Sequence, residues 1–406
     1  MSDNSTVDLE NGHYSDDSNS PISSSDIEDD SETGDKGEFD TALPTTHKYL
    51  GKLDNVGGYT LYDDGEIIQA MLAIHTNTLV FPGFTLPLVI REYETDHIMD
   101  DIKNGYMFAL ICTDETSTKL SDYGVIMEVF ETSVKRGSIN LKAKGRQRCQ
   151  IVAGTEIPFR SRLRKLTVKV LPEPYIHSPI NSTQLQTLKS RRTVFSKDYK
   201  SLMKNYRFRR YHLSQFPFAS WVYDWNELSF YVNALTEGLK KYYSKEHLPE
   251  DPNILSYWFV QNYQLTHNER LQILKCASVL DRLKLELKLM KMARILSCGK
   301  CRIGIAFQRD IFAMSKDGIQ SNYCNPGGNV YETVTVMEAT NFTLVGESSK
   351  QFSWFPGYAW TIMQCAACRS HLGWQFTSKN HHPQRFFGLA HSCLDIKIVP
   401  KASLIE

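Results

Sequence analysis

Two pairs of closely spaced cysteines constrain this chain more than any other feature of its sequence. Cys298 and Cys301 form the pair CGKC, and Cys365 and Cys368 form the pair CAAC. Two CxxC pairs supply one Zn²⁺ with four thiolates at about 2.3 Å, a closed tetrahedral set that leaves no position for a substrate. We therefore predict one structural zinc ion and no catalytic residue at this centre.

A redox dithiol or disulfide and unrelated buried thiols are the alternatives, because a single CxxC pair occurs in such proteins too. The second pair favours zinc. The 63 residues between Cys301 and Cys365 exceed the usual spacing in a zinc ribbon, so a small domain must fold between the two pairs. The other five of the nine cysteines are interpreted as buried apolar thiols.

Length and composition limit the class of protein. The 406 residues, 41% of them hydrophobic, are enough for two or three domains with real cores. Residues 1–40 hold 13 acidic residues against one lysine, which predicts a disordered acidic tail over 1–46. Neither a signal peptide nor an apolar run of about 20 residues is present, so no membrane contact is expected. Unpaired cysteines favour reducing compartments, and we expect the cytoplasm and the nucleus.

Basic residues are concentrated between Lys135 and Arg210, where 20 Lys and Arg face only three acidic residues. Such a run is compatible with nucleic-acid binding. However, the segment Arg160–Val170 alternates charged and apolar residues as a half-buried strand does. This pattern favours a solvated sheet face or a protein contact over nucleic acid.

The residue pattern changes twice along the chain. Residues 47–174 carry apolar runs broken by Pro and Gly, which predict a β barrel or a twisted sheet. Residues 175–296 are predicted to be helical, and residues 297–406 form the zinc domain. The clearest strand signals lie in Thr78–Ile90, Tyr106–Cys112, Tyr123–Glu131 and Ile139–Val152.

Two helices are prominent in the second region. One is predicted within Trp225–Tyr243, and the other begins at the capping box Thr266-x-x-Glu269. The second helix is predicted to run for about 30 residues, or about 45 Å, straight into Cys298 and to join the two regions rigidly. Its core-facing stripe consists of Ile273, Cys276, Leu280, Leu283, Leu287 and Met290.

Three of the six tryptophans lie within 21 residues of the zinc domain: Trp354, Trp360 and Trp374. The segment SWFPGYAW predicts a turn at Pro356–Gly357 that allows the first two to face each other. Trp374 and Phe376 alternate on a predicted strand and therefore share one face. The three indoles either wall a narrow pocket or fill the core of a small domain.

The charge around these tryptophans indicates what a pocket would hold. Between Ser348 and Leu394 there is no Asp or Glu. Aromatic cages that bind methylated ammonium groups generally add a carboxylate. A neutral, flat guest with a polar edge is therefore favoured over a cation.

Several motifs of this region together resemble the cereblon family, the substrate receptors of cullin-four RING ubiquitin ligases. They are the CxxC pairs, CNPGGNVYETVTV, SWFPGYAW, HLGWQF and PQRFFGL. In the β region TLPL and KAKGRQR are similar to the Lon N-terminal domain of that family. The resemblance covers most of the chain, and it is strongest in the zinc domain.

The resemblance implies an α+β multidomain protein: a β-rich Lon N-terminal-like domain, a helical insert that binds a β-propeller adaptor, and an all-β zinc domain of the CULT or β-tent type. The implied ligands are glutarimides of the thalidomide type and C-terminal cyclic imides of target proteins. The implied function is non-catalytic presentation of targets for ubiquitination and proteasomal degradation. The ligand-binding residues carried over are Asn325, Phe352, Trp354, Trp360, Trp374 and Phe376.

Two positions depart from many members of that family. Phe352 stands where they have His, so a side-chain contact is lost while backbone hydrogen bonds remain available. Ile362 stands where some have Val, and we expect it outside the imide site, beneath a recruited protein. An extra methylene there affects one partner and spares another.

Three other functions share features with parts of this sequence. A Lon-type ATP-dependent protease is disfavoured because no GxxxxGK[ST] phosphate loop occurs. A methionine sulfoxide reductase-like enzyme requires a catalytic thiol in the pocket, for which Cys324 is the nearest candidate. A methyl-lysine reader is disfavoured by the absence of carboxylates.

Overall fold

The computed structural model describes residues 37–56, 61–76, 78–91, 107–113, 120–135, 138–153, 163–174, 219, 222, 225–240 and 248–399. Within these residues, no helix has both the length and the apolar character needed to cross a membrane.

The first region contains a closed ring of strands. Its strands are β1 Gly37–Glu38, β2 Asp54–Asn55, β3 Ile67–Thr76, β4 Thr85–Arg91, β5 Met107–Thr113, β6 Leu120–Lys135, β7 Ser138–Ala153 and β8 Leu163–Val170. All except β1 form one sheet in the order β2-β6-β5-β3-β8-β7-β4, and β6 also pairs with β7, which closes the ring. The strands predicted over β4 to β7 are confirmed, as is the barrel.

Both faces of this sheet are buried, which explains why its strands are nearly continuous apolar runs. Along β6, Val125 and Met127 join the core shared with the helices. Ile126, between them, packs into a second core with Leu166 and Val168 of β8. Successive side chains of a strand point to opposite faces, so one strand serves both cores.

The helices pack on the first of these cores. They are α1 Leu228–Leu239, α2 Pro252–Asn262, α3 His267–Lys275 and α4 Val279–Met290. The predicted capping box is confirmed: the amide of Glu269 donates to the Thr266 hydroxyl, and the amide of Thr266 donates to the Glu269 carboxylate. These bonds satisfy two donors that the first turn of a helix leaves unpaired.

The prediction of one 30-residue helix running into Cys298 is wrong. The chain leaves helical geometry at Cys276, where ψ is 134°, and Ser278 caps the start of α4. After α4 the chain forms a strand, Ala293–Cys298. A side chain of the barrel binds the chain at this break. Nη1 of Arg148 on β7 donates to the carbonyls of Leu274 and Cys276, at 2.8 and 2.6 Å. A guanidinium from the barrel thus satisfies carbonyls that end α3.

Arg148 belongs to a charged network that fixes the helices on the barrel. Glu173 accepts from Arg148 at 2.5 Å and from Arg282 of α4 at 2.8 Å. The Tyr257 hydroxyl also donates to Glu173. Both arginines are buried, and their hydrogen bonds offset much of the cost of removing their charges from water.

The zinc domain is entirely β and begins directly after α4. Its strands are β9 Ala293–Cys298, β10 Gly304–Phe307, β11 Gln320–Cys324, β12 Val330–Val336, β13 Phe342–Ser349, β14 Ala359–Cys365, β15 His371–Thr377, β16 His381–His382, β17 Arg385–Ala390 and β18 Leu394–Val399. Six form the sheet β11-β12-β17-β15-β14-β13, and three form the sheet β10-β9-β18. Strands β10 to β14 lie between the two cysteine pairs, as a folded segment was predicted to, but the domain is not confined there: β15 and β17, which follow the second pair, are inner strands of the larger sheet.

Part of the predicted acidic tail is ordered. β1 pairs in parallel with β16 of the zinc domain. Phe39 is buried and packs edge-on against Tyr358, with ring centroids 5.3 Å apart. The disordered tail therefore does not extend to residue 46 as predicted, because Phe39 finds an aromatic partner distant in sequence; residues 1–36 lie outside the described part of the chain.

The next residues of this segment contact both domains. Nζ of Lys142, on β7, donates to the Thr46 carbonyl at 2.7 Å. The Tyr49 hydroxyl accepts from the amide of Cys324 at 3.1 Å and lies 2.8 Å from Nδ1 of His47. Burial, assisted by the positive charge of Lys142, lowers the pKa of His47 to about 3. The segment therefore carries a neutral histidine between the barrel and the zinc domain.

We predict that His47→Asn reduces the loss of stability in acid. Because the folded-state pKa lies below the ordinary value of about 6.5, only the unfolded chain binds this proton between pH 6.5 and pH 3, and stability falls as pH falls. Between pH 7 and pH 5 the wild type should lose up to about 2 kcal/mol more than the variant in free energy of unfolding. Asn accepts the left-handed backbone at this position, where φ is 51°.

Denaturant unfolding of the whole chain at several pH values measures this difference. His382→Asn, at an exposed histidine, is the matched control and should keep the wild-type slope. Equal slopes in the wild type and His47→Asn would contradict the prediction.

Candidate functional site

The zinc centre is built from two hairpin turns of the same design. Cys298 ends β9 and Cys365 ends β14, and the second cysteine of each pair follows in the turn. The amide of Arg302 donates to the Cys298 carbonyl, and the amide of Arg369 donates to the Cys365 carbonyl, both at 2.8 Å. Both arginines have a positive φ, 61° and 58°. Each turn therefore curls its two thiols toward the same point.

The four sulfurs fit a single zinc ion. Cys298 Sγ lies 3.5 Å from Cys368 Sγ, and Cys301 Sγ lies 3.5 Å from Cys365 Sγ. All four sulfurs lie within 4.8 Å of one another. Four thiolates around Zn²⁺ at about 2.3 Å would be about 3.8 Å apart, close to these distances. The close sulfurs lie 3.5 Å apart, well beyond the length of about 2.05 Å of a disulfide bond, so the described geometry favours zinc over a disulfide.

The thiols of this centre differ in acidity. Against the opposing effect of a hydrogen bond with the Ile303 backbone, the pKa of Cys301 is raised to about 12, in part by hydrogen bonds with the other three cysteines. Hydrogen bonds with the hydroxyl and the backbone of Ser370 lower the pKa of Cys368 to about 6. Zinc is bound by the thiolate and not by the thiol. Because Cys298 and Cys365 belong to the core of the domain, the ion joins the two hairpins from within. The centre is one structural zinc site.

We predict that Cys365→Ser abolishes zinc binding and unfolds the zinc domain. Structural zinc supplies on the order of 10 kcal/mol of folding free energy to such domains. Metal analysis of the purified chain and limited proteolysis should show loss of zinc and cleavage after residue 293. Cys276→Ser, at a cysteine outside the cluster, is the control. A folded Cys365→Ser chain that retains one zinc would contradict the prediction.

The sheet next to this centre places a row of aromatic residues on one face. In the pairing of β14 with β15, Trp360 lies opposite Phe376, and Ile362 lies opposite Trp374. Directly opposed residues share a face, and so do residues two apart on one strand. Trp360, Ile362, Trp374 and Phe376 therefore point to the same side. The strand predicted for HLGWQF is confirmed.

Trp354 reaches this row from the loop before β14. Its ring meets Trp374 edge-on, with centroids 4.6 Å apart, and Tyr323 stacks on it at 5.0 Å. The predicted turn that follows is confirmed: the amide of Tyr358 donates to the Phe355 carbonyl at 3.0 Å, and Gly357 has a φ of 87°. Pro and then a residue of positive φ at the two central positions are typical of a type II turn.

The loop over residues 350–353 is fixed beside the tryptophans. The indole N–H of Trp360 donates to the Gln351 carbonyl at 2.8 Å. Phe352 has a φ of 55° and is 51% exposed, an unusual backbone conformation for a bulky side chain. Within the described part of the chain, the amides of Phe352 and Trp354 donate to no partner. This strained loop leaves backbone donors available next to an aromatic wall.

These residues enclose a cavity of about 450 Å³. Among its described lining residues there is no carboxylate. The lining consists of Asn325, Pro326, Tyr331, Phe352, Trp354, Trp360, Ile362, His371, Trp374 and Phe376. The structure thus brings all six predicted ligand-binding residues together around one cavity. The three tryptophans form its walls and also pack against neighbouring aromatic rings.

Three lining residues were not predicted from the sequence: Pro326, Tyr331 and His371. Tyr331 meets Trp374 edge-on at 5.0 Å, and His371 meets it at 4.8 Å. Burial lowers the pKa of His371, and its Nε2 is buried without a hydrogen-bond partner among the described residues. Strict alternation along HLGWQF places His371 on the face opposite Trp374, so the sequence carries no signal for it. The irregular pairing of β14 with β15 between Met363 and Gln364 brings His371 to the cavity.

Ile362 occupies a position different from the one expected. Its side chain belongs to the lining of the cavity, whereas the sequence-based expectation placed it clear of the ligand. It also pairs with Val345 of β13, which is 42% exposed at the edge of the sheet. Ile362 therefore borders both the cavity and the outer surface.

Comparison with known families agrees with this architecture. The family described as the ATP-dependent protease La (LON) substrate-binding domain matches residues 70–292. The family described as Yippee zinc-binding/DNA-binding/Mis18, centromere assembly, matches residues 294–404. The boundary between the matches falls between α4 and β9.

Similar proteins are found in several animals, each called protein cereblon. The one from Gallus gallus is 32% identical over 387 residues, which cover 90% of this chain and 86% of the relative. The one from Danio rerio is 32% identical over 408 residues, with 92% and 94% covered. The one from Drosophila yakuba is 32% identical over 376 residues, with 88% and 62% covered.

A Lon-type substrate-binding domain joined to a zinc domain with an open aromatic cavity defines a class of protein, the substrate receptors. Within that class, the chain belongs to the cereblon family.

Proposed function

We propose that this chain is the substrate-recognition subunit of a cullin-four RING E3 ubiquitin ligase, acting in the cytoplasm and the nucleus. Its cavity would bind C-terminal cyclic imides of target proteins and thalidomide-type glutarimides. The observation that carries the proposal is the cavity of Trp354, Trp360 and Trp374, free of carboxylates among its described lining residues, in a member of the cereblon family.

The chemistry of an imide matches this cavity. A cyclic imide is flat and neutral, and one edge presents acceptor, donor and acceptor in sequence. Three indoles suit its faces, while the backbone of Phe352 and Trp354 suits its edge. An unpaired group on a buried edge would cost roughly 1–3 kcal/mol, so this edge distinguishes imides from apolar rings of similar size. The exposed side chain of Phe352 is not needed for such bonds.

The described geometry counts against the two rival binding or catalytic functions. Cys324, the candidate reductase thiol, is buried, and burial raises its pKa to about 12, so it is protonated at neutral pH. It is also absent from the described lining of the cavity. A methyl-lysine reader would gain from a carboxylate, and none is among those lining residues.

Exposed apolar side chains in the helical region support a protein contact there. Trp225 is 60% exposed, Phe230 49% and Ile254 59%. Large apolar and aromatic residues are enriched at the centres of protein interfaces. We assign this surface to the β-propeller adaptor of the ligase. The chain would then catalyse nothing itself and would act by raising the local concentration of a target lysine at the ligase arm.

We predict that Trp360→Ala weakens binding of a small glutarimide at least about thirtyfold, because it removes a cavity wall and the hydrogen bond that fixes Gln351. Adaptor binding should persist, since the exposed helical residues lie outside the cavity. Trp225→Ala, the same substitution in the helical region, should show the reverse pattern. Calorimetry with the glutarimide and pull-down with the adaptor measure the two effects. Loss of both activities in a folded, zinc-loaded Trp360→Ala chain would contradict this division.

We also predict that Ile362→Val separates ligand binding from recruitment. Removing one methylene from a half-buried side chain should change glutarimide affinity by less than about threefold, or roughly 0.7 kcal/mol. The affinity for a protein recruited at the sheet edge near Val345 should change more, because a small change of shape at an interface can favour one partner over another. Binary and ternary affinities measured on both proteins test this. Equal changes would assign Ile362 to the ligand site alone.

A further inference from the structure

A second cavity opens beside the tryptophan cavity and encloses about 710 Å³. It lies between three parts of the chain. One wall is the N-terminal segment Lys48–Gly51, a second is the barrel at Val89 and Asn140, and the third is the zinc-domain loop from Lys350 to Gly357. We call this space the side cleft.

The side cleft adjoins the tryptophan cavity. Asn325, Pro326 and Phe352 line both spaces. A polypeptide attached to a group in the tryptophan cavity can leave past the rim that these three residues form. The side cleft is one such path, and its volume is within the range that holds a drug-sized ligand or a short peptide segment.

The N-terminal wall of the side cleft is held in place on both sides. The Asn140 side chain donates to the Leu50 carbonyl at 2.9 Å, which attaches the wall to the barrel. The Tyr49 hydroxyl accepts from the Cys324 amide at 3.1 Å, which attaches it to the zinc domain. A wall fixed in advance reduces the loss of freedom on binding.

The charged side chains among the described lining residues of the side cleft are all positive. Lys48 and Lys350 are exposed on opposite walls, and the described lining residues include no Asp or Glu. Neither lysine forms an ion pair with a described residue. Two unpaired ammonium groups in a cleft attract anionic groups, and the attraction weakens with salt.

We propose that the side cleft holds the polypeptide segment that immediately precedes a C-terminal cyclic imide, and that Lys48 and Lys350 give this receptor a preference for acidic residues in that segment. The inference rests on the proposed function and names its substrate class more narrowly: targets whose extended, acidic C-terminal end is closed by an imide. The remaining lining mixes polar side chains, among them Ser138, Asn140 and Asn325, with apolar ones in about equal share, which suits a peptide that presents both backbone and side-chain groups.

The test compares two short synthetic peptides that end in aminoglutarimide. They are identical except that Asp and Glu in the residues before the imide are replaced by Asn and Gln. Fluorescence anisotropy with the full chain measures both affinities and that of a bare glutarimide, at low and high salt. We expect the acidic peptide to bind about three- to tenfold more tightly at low salt and the difference to shrink at high salt.

Variants assign the effect to the cleft. In Lys48→Gln/Lys350→Gln the ratio of the two peptide affinities should fall to near one. Lys288→Gln/Lys379→Gln, at two exposed lysines that line neither described cavity, should keep the wild-type ratio. Bare glutarimide binding, measured on every variant, reports whether the imide cavity is intact.

The outcomes separate the inference from the function on which it rests. If the glutarimide binds and both peptides bind equally, the inference is overturned and the proposed function stands. A preference for acid that survives in Lys48→Gln/Lys350→Gln also overturns it, because the charges then lie elsewhere. If no imide binds to the zinc-loaded chain, the proposed function and the inference fail together.

Discussion

The joining of two hairpins by one zinc ion is the constraint on which the ligand site depends. Cys365 ends β14, and Cys368 lies in the turn to β15, so the ion fixes one end of that hairpin to the β9–β10 turn. The same two strands carry Trp360 and Trp374 a few residues away. The metal performs no chemistry on a ligand. It holds the two strands that carry the aromatic row in a fixed arrangement. The hydrophobic core of a small domain would not be large enough to do this without the metal.

The proposed recognition of an imide depends on backbone geometry more than on side-chain identity. The indole N–H of Trp360 donates to the Gln351 carbonyl and holds the loop at Phe352. The amides of Phe352 and Trp354, two residues that line the cavity, have no acceptor among the described residues. A substitution of the side chain at this position leaves those amides in place. A chain with phenylalanine at this position therefore has the same backbone donors as one with another side chain there. The positive φ of Phe352 costs of order 1–3 kcal/mol and is maintained by the surrounding contacts.

The barrel, the helices and the zinc domain are joined by buried charged groups as well as by apolar packing. Arg270 of α3 donates to Glu332 of β12 at 2.7 Å and to the Leu79 carbonyl at 2.9 Å. The nearby positive charges hold the pKa of Glu332 below its ordinary value although burial opposes this. Arg294 of β9 pairs with Glu269 of α3 at 2.8 Å. Removing one partner would strand a buried charge, so such pairs fix how the domains meet more than they add stability.

The sequence by itself determined the local chemistry: the two cysteine pairs, the strands β4 to β7, the capping box at Thr266 and the turn at Pro356–Gly357. Each depends on residues a few positions apart, and their spacing is visible in the chain. Only the tertiary structure decided which distant residues meet. The apolar stripe predicts one continuous helix from Ile273 to Met290. In the structure, Arg148 of the barrel donates to the carbonyls at the end of α3, and the helix is divided there. Part of the acidic segment is ordered because the ring of Phe39 packs against the ring of Tyr358. His371 enters the ligand cavity, and the side cleft forms where three segments converge, since long-range packing leaves no periodic signal in a sequence.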